Sequence, residues 1–384
     1  MNLIHDEAAF AKDTILKRSK QHGFSNPIAV EMFLWDIELA AQLQRIDTRL
    51  ILKGGAAAQL FLPLEKQRGS VDIDMTVSAS VTEAEVADSV GKVEKAIPSL
   101  HFKRYAPEAP KQKLPLVTYF IDVPSTFQPI GRGNLEIKAD ILLENAGLLT
   151  VEIRNAETFA LQVRRIRIPT LGSSIGDKLL TLAKGSIGMT REEDYPKQMY
   201  DVDLLSLGIS ARVFTDIADA VTKLTPLEAS YRSLQTKPSE ALRDVQSLTS
   251  SYATIDTSIA SRDNKKNVSD FQQFLVNQNQ RLALFGWASR ALRIRFLADL
   301  VGMTLSRTIV ASEAAKRLAR ADDLARSLNL ILGGNVQQVR KELLATFPLK
   351  VPYFKELKGK PLSRVFWEAA TPDNLDKVAS LLPS

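Results

Sequence analysis

An α+β protein, with a small mixed sheet and helices followed by an all-helical region, is what the sequence predicts. Three observations predict it. The segment VDIDMTV (71–77) alternates strictly, with Val71, Ile73, Met75 and Val77 on one face and Asp72, Asp74 and Thr76 on the other. Residues 29–45 (AVEMFLWDIELAAQLQR) carry apolar positions at helical spacing instead. From about residue 174 the helical pattern takes over and continues to the end. At 384 residues the chain is long enough for two or three domains, and the change of pattern divides it into 1–172, with the sheet and N-terminal helices, and 173–384, all helical.

In the first part, LILK (50–53) is a short apolar run that reads as a buried strand. Gly54-Gly55 breaks it, and AAAQLF opens a second helix. Beyond the alternating strand, a stretch rich in Glu, Ala and Val predicts a helix over about 82–97. HFKRY, LVTYFIDV and LEIKADILL are three further strands, with Gly131-Arg132-Gly133-Asn134 as a turn entering the last. In the second part SIGDKLLTLAKG and DYPKQMYDVDLLSL are helical, and the polar stretch SRDNKKNVSD (261–270) reads as a loose joint between later helices. No internal repeat or low-complexity tract interrupts this order.

Composition removes several chemistries. Without cysteine there is no disulfide framework, thiol nucleophile or Cys-ligated zinc, and His5, His22 and His101 are too scattered for a histidine cage. A metal, if used, falls to carboxylates. The N-terminal MNLIHDEAAFAKD lacks the apolar core of a secretory signal, and no apolar run approaches the roughly 20 residues of a membrane span, so a cytoplasmic protein that engages no membrane is expected. The net charge of +6 is unevenly spread. Residues 265–384 carry 19 Lys+Arg against 10 Asp+Glu, a net +9, which leaves −3 for the rest. Arg290 with Arg293, and Lys316 with Arg317 and Arg320, can each share a helix face. Such faces are either merely solvated or a platform for an RNA backbone. Phe285 and Trp287 sit at apolar spacing and read as core.

The chemistry concentrates in residues 53–77. A period-2 strand points Asp72 and Asp74 to one side, where two carboxylates repel each other unless a cation intervenes, and hard divalent cations favour oxygen ligands combined with substrate phosphates. The plain alternative is an exposed polar strand face. Upstream, Gly54-Gly55 precedes a helix whose N–H groups can receive phosphate. Ser70 adds a hydroxyl, and Asp140 on LEIKADILL shares a face with Glu136 and Lys138. A third carboxylate on a neighbouring strand suits two-metal phosphoryl or nucleotidyl transfer.

The ordered series LKGGAAAQL, RGSVDIDM, IKADIL, GDKLLTLAKG and KQMYDVDLL, from about Val30 to Leu207, resembles the AbiEii/MenT family of bacterial nucleotidyltransferase toxins, in the polymerase-β-like nucleotidyltransferase superfamily. The resemblance implies that Gly54, Gly55, Ser70, Asp72 and Asp74 form a metal-triphosphate site with Mg²⁺ or Mn²⁺. On the strand pattern above, Asp140 would complete the metal set, and Arg68 corresponds to the family arginine. Lys178 corresponds to a nucleotide-binding lysine and Asp201 to the aspartate of a Tyr-Asp pair. The implied reaction carries a nucleotide from an NTP to the 3′ end of tRNA, blocking translation and growth, with an antitoxin as partner. Two positions depart from the pattern: Ala56 stands where Thr or Ser is usual, and Gln198 where an Asp is usual.

From the residues alone other readings stay open. Lys178 can be a surface lysine near the start of a helix, and Asp201 a structural salt-bridge partner of Lys178 or Arg191, with Asp203 facing solvent. Arg68 can bind triphosphate or pin its loop. The acceptor can be a small molecule or a protein, or the chain can be a non-catalytic RNA-binding protein on a degenerate transferase fold.

Overall fold

The computed structural model describes residues 3–77, 80–105, 114–127, 134–143, 146–159, 161–331, 335–346 and 351–381. It divides into two compact units. One holds residues 1–174 with 230–233 and 272–281, and the other holds the remainder. Residues 131–133 of the expected turn lie outside the described residues.

In the first unit, α1 (Lys12–His22) and α2 (Pro27–Ile46) precede β1 (Leu50–Lys53), α3 (Gly54–Gln59), β2 (Asp72–Val77) and α4 (Glu83–Ala96). Then come β3 (His101–Tyr105), β4 (Leu116–Pro124) and β5 (Asn134–Leu142). Two of these helices, α2 and α4, begin where side chains satisfy their free N–H groups. Asn26 accepts from the Ala29 N–H with Pro27 in the first turn of α2, and Thr82 with Glu85 forms a capping box on α4.

The five strands form one sheet in the order β1-β2-β5-β4-β3. Only the β2–β5 pair is parallel, and the other pairs are antiparallel. Ile73, Met75, Ile137, Ala139 and Ile141 are buried in a core that α2 supplies with Phe33, Leu34, Trp35 and Ile37. That burial places the alternate residues of β2 and β5 on the opposite face.

Beyond the strands that periodicity predicts, two more follow β5. β6 (Val151–Thr158) and β7 (Leu161–Pro169) form an antiparallel hairpin of their own. Leu161, Val163, Ile166 and Ile168 join the same core, where Phe159 meets Phe24 and Phe33 edge-on.

A helix α5 (Leu171–Thr181) leads to the second unit. There α6 (Tyr195–Leu205), α7 (Ala211–Tyr231), α8 (Pro238–Ala253), α9 (Arg262–Gln273), α10 (Leu284–Leu305) and α11 (Ala311–Leu330) follow in turn. Four shorter helices close the chain: α12 (Asn335–Thr346), α13 (Phe354–Leu357), α14 (Leu362–Ala369) and α15 (Leu375–Ala379). The polar stretch 261–270 is therefore the body of α9, not a loose joint. Its polarity reflects a helix that buries only Asn267 and Val268 and leaves its other residues half-buried or exposed. No helix among the described residues is long and apolar enough to cross a membrane.

Candidate functional site

The sheet register gathers the predicted acids. Asp74 on β2 lies directly beside Asp140 on β5, and Asp72 beside Lys138. Neighbouring strands run about 4.8 Å apart, so Asp74 and Asp140 share one row on the face opposite the core. Across the sheet that row continues to Lys53 on β1 and Thr118 on β4. All three carboxylates are half-buried. Asp140 is held from two sides: Thr118 Oγ1 donates to its Oδ1 at 2.6 Å, and Lys138 Nζ lies 2.5 Å from its Oδ2.

The glycine pair fits against this row. Gly54 opens α3 with φ +67°, a conformation that side chains disfavour. A Cβ there would meet Asp74 Oδ2 at 2.1 Å, so only glycine lets the backbone pass the carboxylate. At Gly55 a Cβ would stand 2.8 Å from Ser70 Oγ and 3.0 Å from Arg68 Nη2. The start of α3 thus touches Asp74, Ser70 and Arg68 together. Arg68 is buried, donates from Nη1 to the Gly69 carbonyl at 2.7 Å, and has its backbone N–H bound by Gln59 Oε1. Ser70 is also buried, and its hydroxyl donates to the Asp72 carbonyl at 3.3 Å.

Gly54→Ala is expected to cost about 1–2 kcal/mol for the left-handed backbone alone, beyond the displacement of Asp74. The denaturant midpoint should fall. An alanine variant that unfolds at the wild-type midpoint would show that the close approach does not matter.

The donor set suits a hard cation. Asp72 and Asp74 supply carboxylate oxygens, the donors that Mg²⁺ or Mn²⁺ prefers, with Lys138 and Lys53 beside them in the register. Among the described residues no three acids converge tightly enough to hold a metal unaided. Asp140 is turned to Thr118 and Lys138, so the arrangement fits a cation shared between two aspartates and substrate phosphates, with Asp140 alongside.

The second unit holds the other two predicted residues. Lys178 is not at the start of a helix but in the last turn of α5, and it is buried. Its Nζ lies 2.8 Å from Asp201 Oδ2, a side chain with no exposure, and donates to Gln198 Oε1 at 3.0 Å. The alternative partner Arg191 pairs instead with Glu193 and Asp194.

Three expectations need correction. Asp203 does not face solvent: it is only 14% exposed and accepts from Arg290 Nε at 2.8 Å and Arg293 Nη1 at 3.2 Å. Arg290 and Arg293 are in turn buried, and Arg293 also binds Asp322 and Ser206. Arg317 pairs with Glu313, and Arg320 with Asp376. Arg290 and Arg293 are therefore neither a solvated face nor a platform, whereas Arg317 and Arg320 form partly exposed ion pairs within their own unit. Trp287 is core as expected, but Phe285 is 43% exposed.

Paired aspartates on a sheet face, beside a glycine turn that a side chain would block, suit an enzyme handling phosphate together with a cation. Residues 39–276, more than half of the chain, match the family model for the nucleotidyl transferase AbiEii toxin of type IV toxin–antitoxin systems. The chain belongs to that family. Among curated proteins none matches. Two Helicobacter pylori crystal structures are distantly similar. JHP933 is 15% identical, with 78% of this chain and 96% of that chain covered and a TM-score of 0.39. A candidate nucleotidyltransferase is also 15% identical, with coverage of 78% and 99% and a TM-score of 0.40.

Proposed function

We propose that this nucleotidyltransferase toxin moves a nucleotide from an NTP to the 3′ end of tRNA or another RNA and so arrests growth, with an antitoxin as its cellular counterpart. The observation that carries this reading is the register of Asp74 beside Asp140, with Gly54 packed against Asp74. In the reaction the RNA 3′-oxygen forms a bond to the α-phosphorus, and the bond to the leaving pyrophosphate breaks.

Asp72 and Asp74 would hold Mg²⁺ or Mn²⁺ with the triphosphate. Bound there, the cation would neutralise phosphate charge and stabilise the leaving pyrophosphate. Gly54 and Gly55 let the triphosphate approach the backbone, while Ser70 and Arg68 supply a hydroxyl and a cation to it. Asp140, oriented by Thr118 and Lys138, accepts the proton of the 3′-hydroxyl. Most of the acceleration comes from positioning and charge neutralisation.

Each of the four NTPs, labelled at the α-phosphate, should be incubated with the protein, total tRNA and Mg²⁺ or Mn²⁺. Label is expected at RNA 3′ ends with at least one NTP. Its absence from every RNA would overturn the proposal, and label on protein or on a small molecule would reassign the acceptor.

A further inference from the structure

The first unit contains a cleft, none of whose lining residues belongs to the carboxylate row. This cleft, of about 710 Å³, lies between the N-terminal segment, the end of α2 and the β6–β7 hairpin, and Arg45, Arg164, Arg165 and Arg167 line it.

The sequence of β7 explains how one strand delivers three of these arginines. In LQVRRIRIP, Leu161, Val163, Ile166 and Ile168 are buried, yet two residues separate Val163 from Ile166 where strict alternation allows one. The hairpin absorbs the extra residue as a bulge. Arg154 pairs with Ile166 and Ala156 with Val163, so Asn155 faces both Arg164 and Arg165. Arg165 takes φ +56°, in the left-handed region, and its N–H donates to Asn155 Oδ1 at 2.8 Å. Non-glycine backbone held in that region concentrates at functional sites. The bulge keeps Arg164, Arg165 and Arg167 outside the core while every isoleucine and valine stays within it.

The charge of the cleft is not cancelled. Among the described residues none of the four guanidinium groups is ion-paired; Arg167 Nη1 donates to the Thr48 carbonyl, and its Nε has no partner. This separates them from Arg290, Arg293, Arg317 and Arg320, each matched to an acid. Against the four arginines the lining holds one acid, Asp6, while Glu38, bonded to the lining His5, is engaged elsewhere. Glu38 is fully buried and accepts from His5 Nδ1 at 2.6 Å, from the Ile4 and His5 N–H groups and from Gln42. Burial pushes its carboxyl up, but the hydrogen bonds led by His5 outweigh burial and hold it below the usual range. Asp6 accepts from the Ala8 N–H at 3.0 Å. His5 lines the cleft, and its buried Nε2 has no partner among the described residues. Ile153, 59% exposed, gives the cleft an apolar wall.

We infer that this cleft binds the phosphodiester backbone of an RNA, the choice of RNA resting on the function proposed above. Guanidinium forks match phosphate oxygens two by two, and several unpaired forks in one cleft favour a chain of phosphates over a single anion. Contacts of this kind position an RNA without reading its sequence.

Fluorescence anisotropy of labelled total tRNA, with the full chain and no NTP, tests the inference. Arg165→Gly removes a charge at a position where the backbone favours glycine. Combining it with Arg45→Gln and Arg164→Gln should leave the unfolding midpoint in place. RNA affinity of the combined variant should fall at least about tenfold at low salt, and the slope of log affinity against log salt should become shallower by about two. Binding of a labelled NTP should not change. Unaltered RNA affinity and slope in the folded variant would overturn the inference, as would loss of NTP binding with RNA binding intact. RNA that binds through these arginines but never gains label would support the cleft while removing the transferase reading.

Discussion

Asp74→Asn should reduce nucleotide transfer by about 10³-fold or more, equivalent to about 4 kcal/mol of transition-state stabilisation, without unfolding the protein. The amide has the carboxylate's shape, so the close packing of Gly54 against residue 74 is preserved while the charge is lost. Asp74 stands between Lys53 and Asp140 in the row and two residues from Asp72, so its charge is central to the pair that would hold a cation. Asp72→Asn should be comparably inactive, because both oxygen donors are needed to offset triphosphate charge. Restoring activity with excess Mn²⁺ would mark the loss as weakened cation binding. Initial rates of label incorporation at saturating NTP, beside denaturant midpoints, decide the matter. An Asp74→Asn protein that transfers at wild-type rate would remove the carboxylate row from the chemistry.

The parts that carry this row were legible because they obey simple periods. Strict alternation in 71–77 put Asp72 and Asp74 on one face, and the same rule applied to LEIKADILL put Asp140 on a face with Lys138. What periodicity could not show was that β2 and β5 are neighbours, in parallel, with 74 beside 140. The hairpin β6–β7 escaped notice for a physical reason: its bulge breaks the alternation between Val163 and Ile166, and its outward face carries arginines that mask the buried residues. The arginines of α10 misled in the opposite direction. Arg290 and Arg293 find Asp203 87 and 90 residues away, and Arg293 finds Asp322 29 residues away, so local charge counting saw only the cations. A net charge of +9 over residues 265–384 therefore overstates the free charge of that region, whereas the short RRIR run of β7, in a part of the chain that sums to a negative charge, keeps its arginines unpaired among the described residues.

Lys178 and Asp201 call for a different experiment, since the resemblance implies a role in nucleotide handling while the geometry gives them a structural one. The ammonium and the carboxylate are 2.8 Å apart, with side-chain exposures of 5% and 0%. Gln198 adds a third oxygen without a second negative charge. Removing the cation from such a pair strands a buried charge, so Lys178→Met is expected to destabilise the protein by about 3–5 kcal/mol. Replacing both partners, as Lys178→Met with Asp201→Leu, removes the stranded charge, and well-packed apolar pairs are commonly as stable as the ion pairs they replace. The double variant should therefore recover most of the lost stability, and the two single effects should not add. Chemical denaturation of the single and double variants measures that coupling. A Lys178→Met protein unfolding at the wild-type midpoint would show that the pair does not hold the fold. In the refolded double variant, labelled-NTP binding then isolates the second role. Binding that stays lost after stability returns assigns Lys178 to the nucleotide, and binding that returns with stability confines the pair to holding α5 against α6.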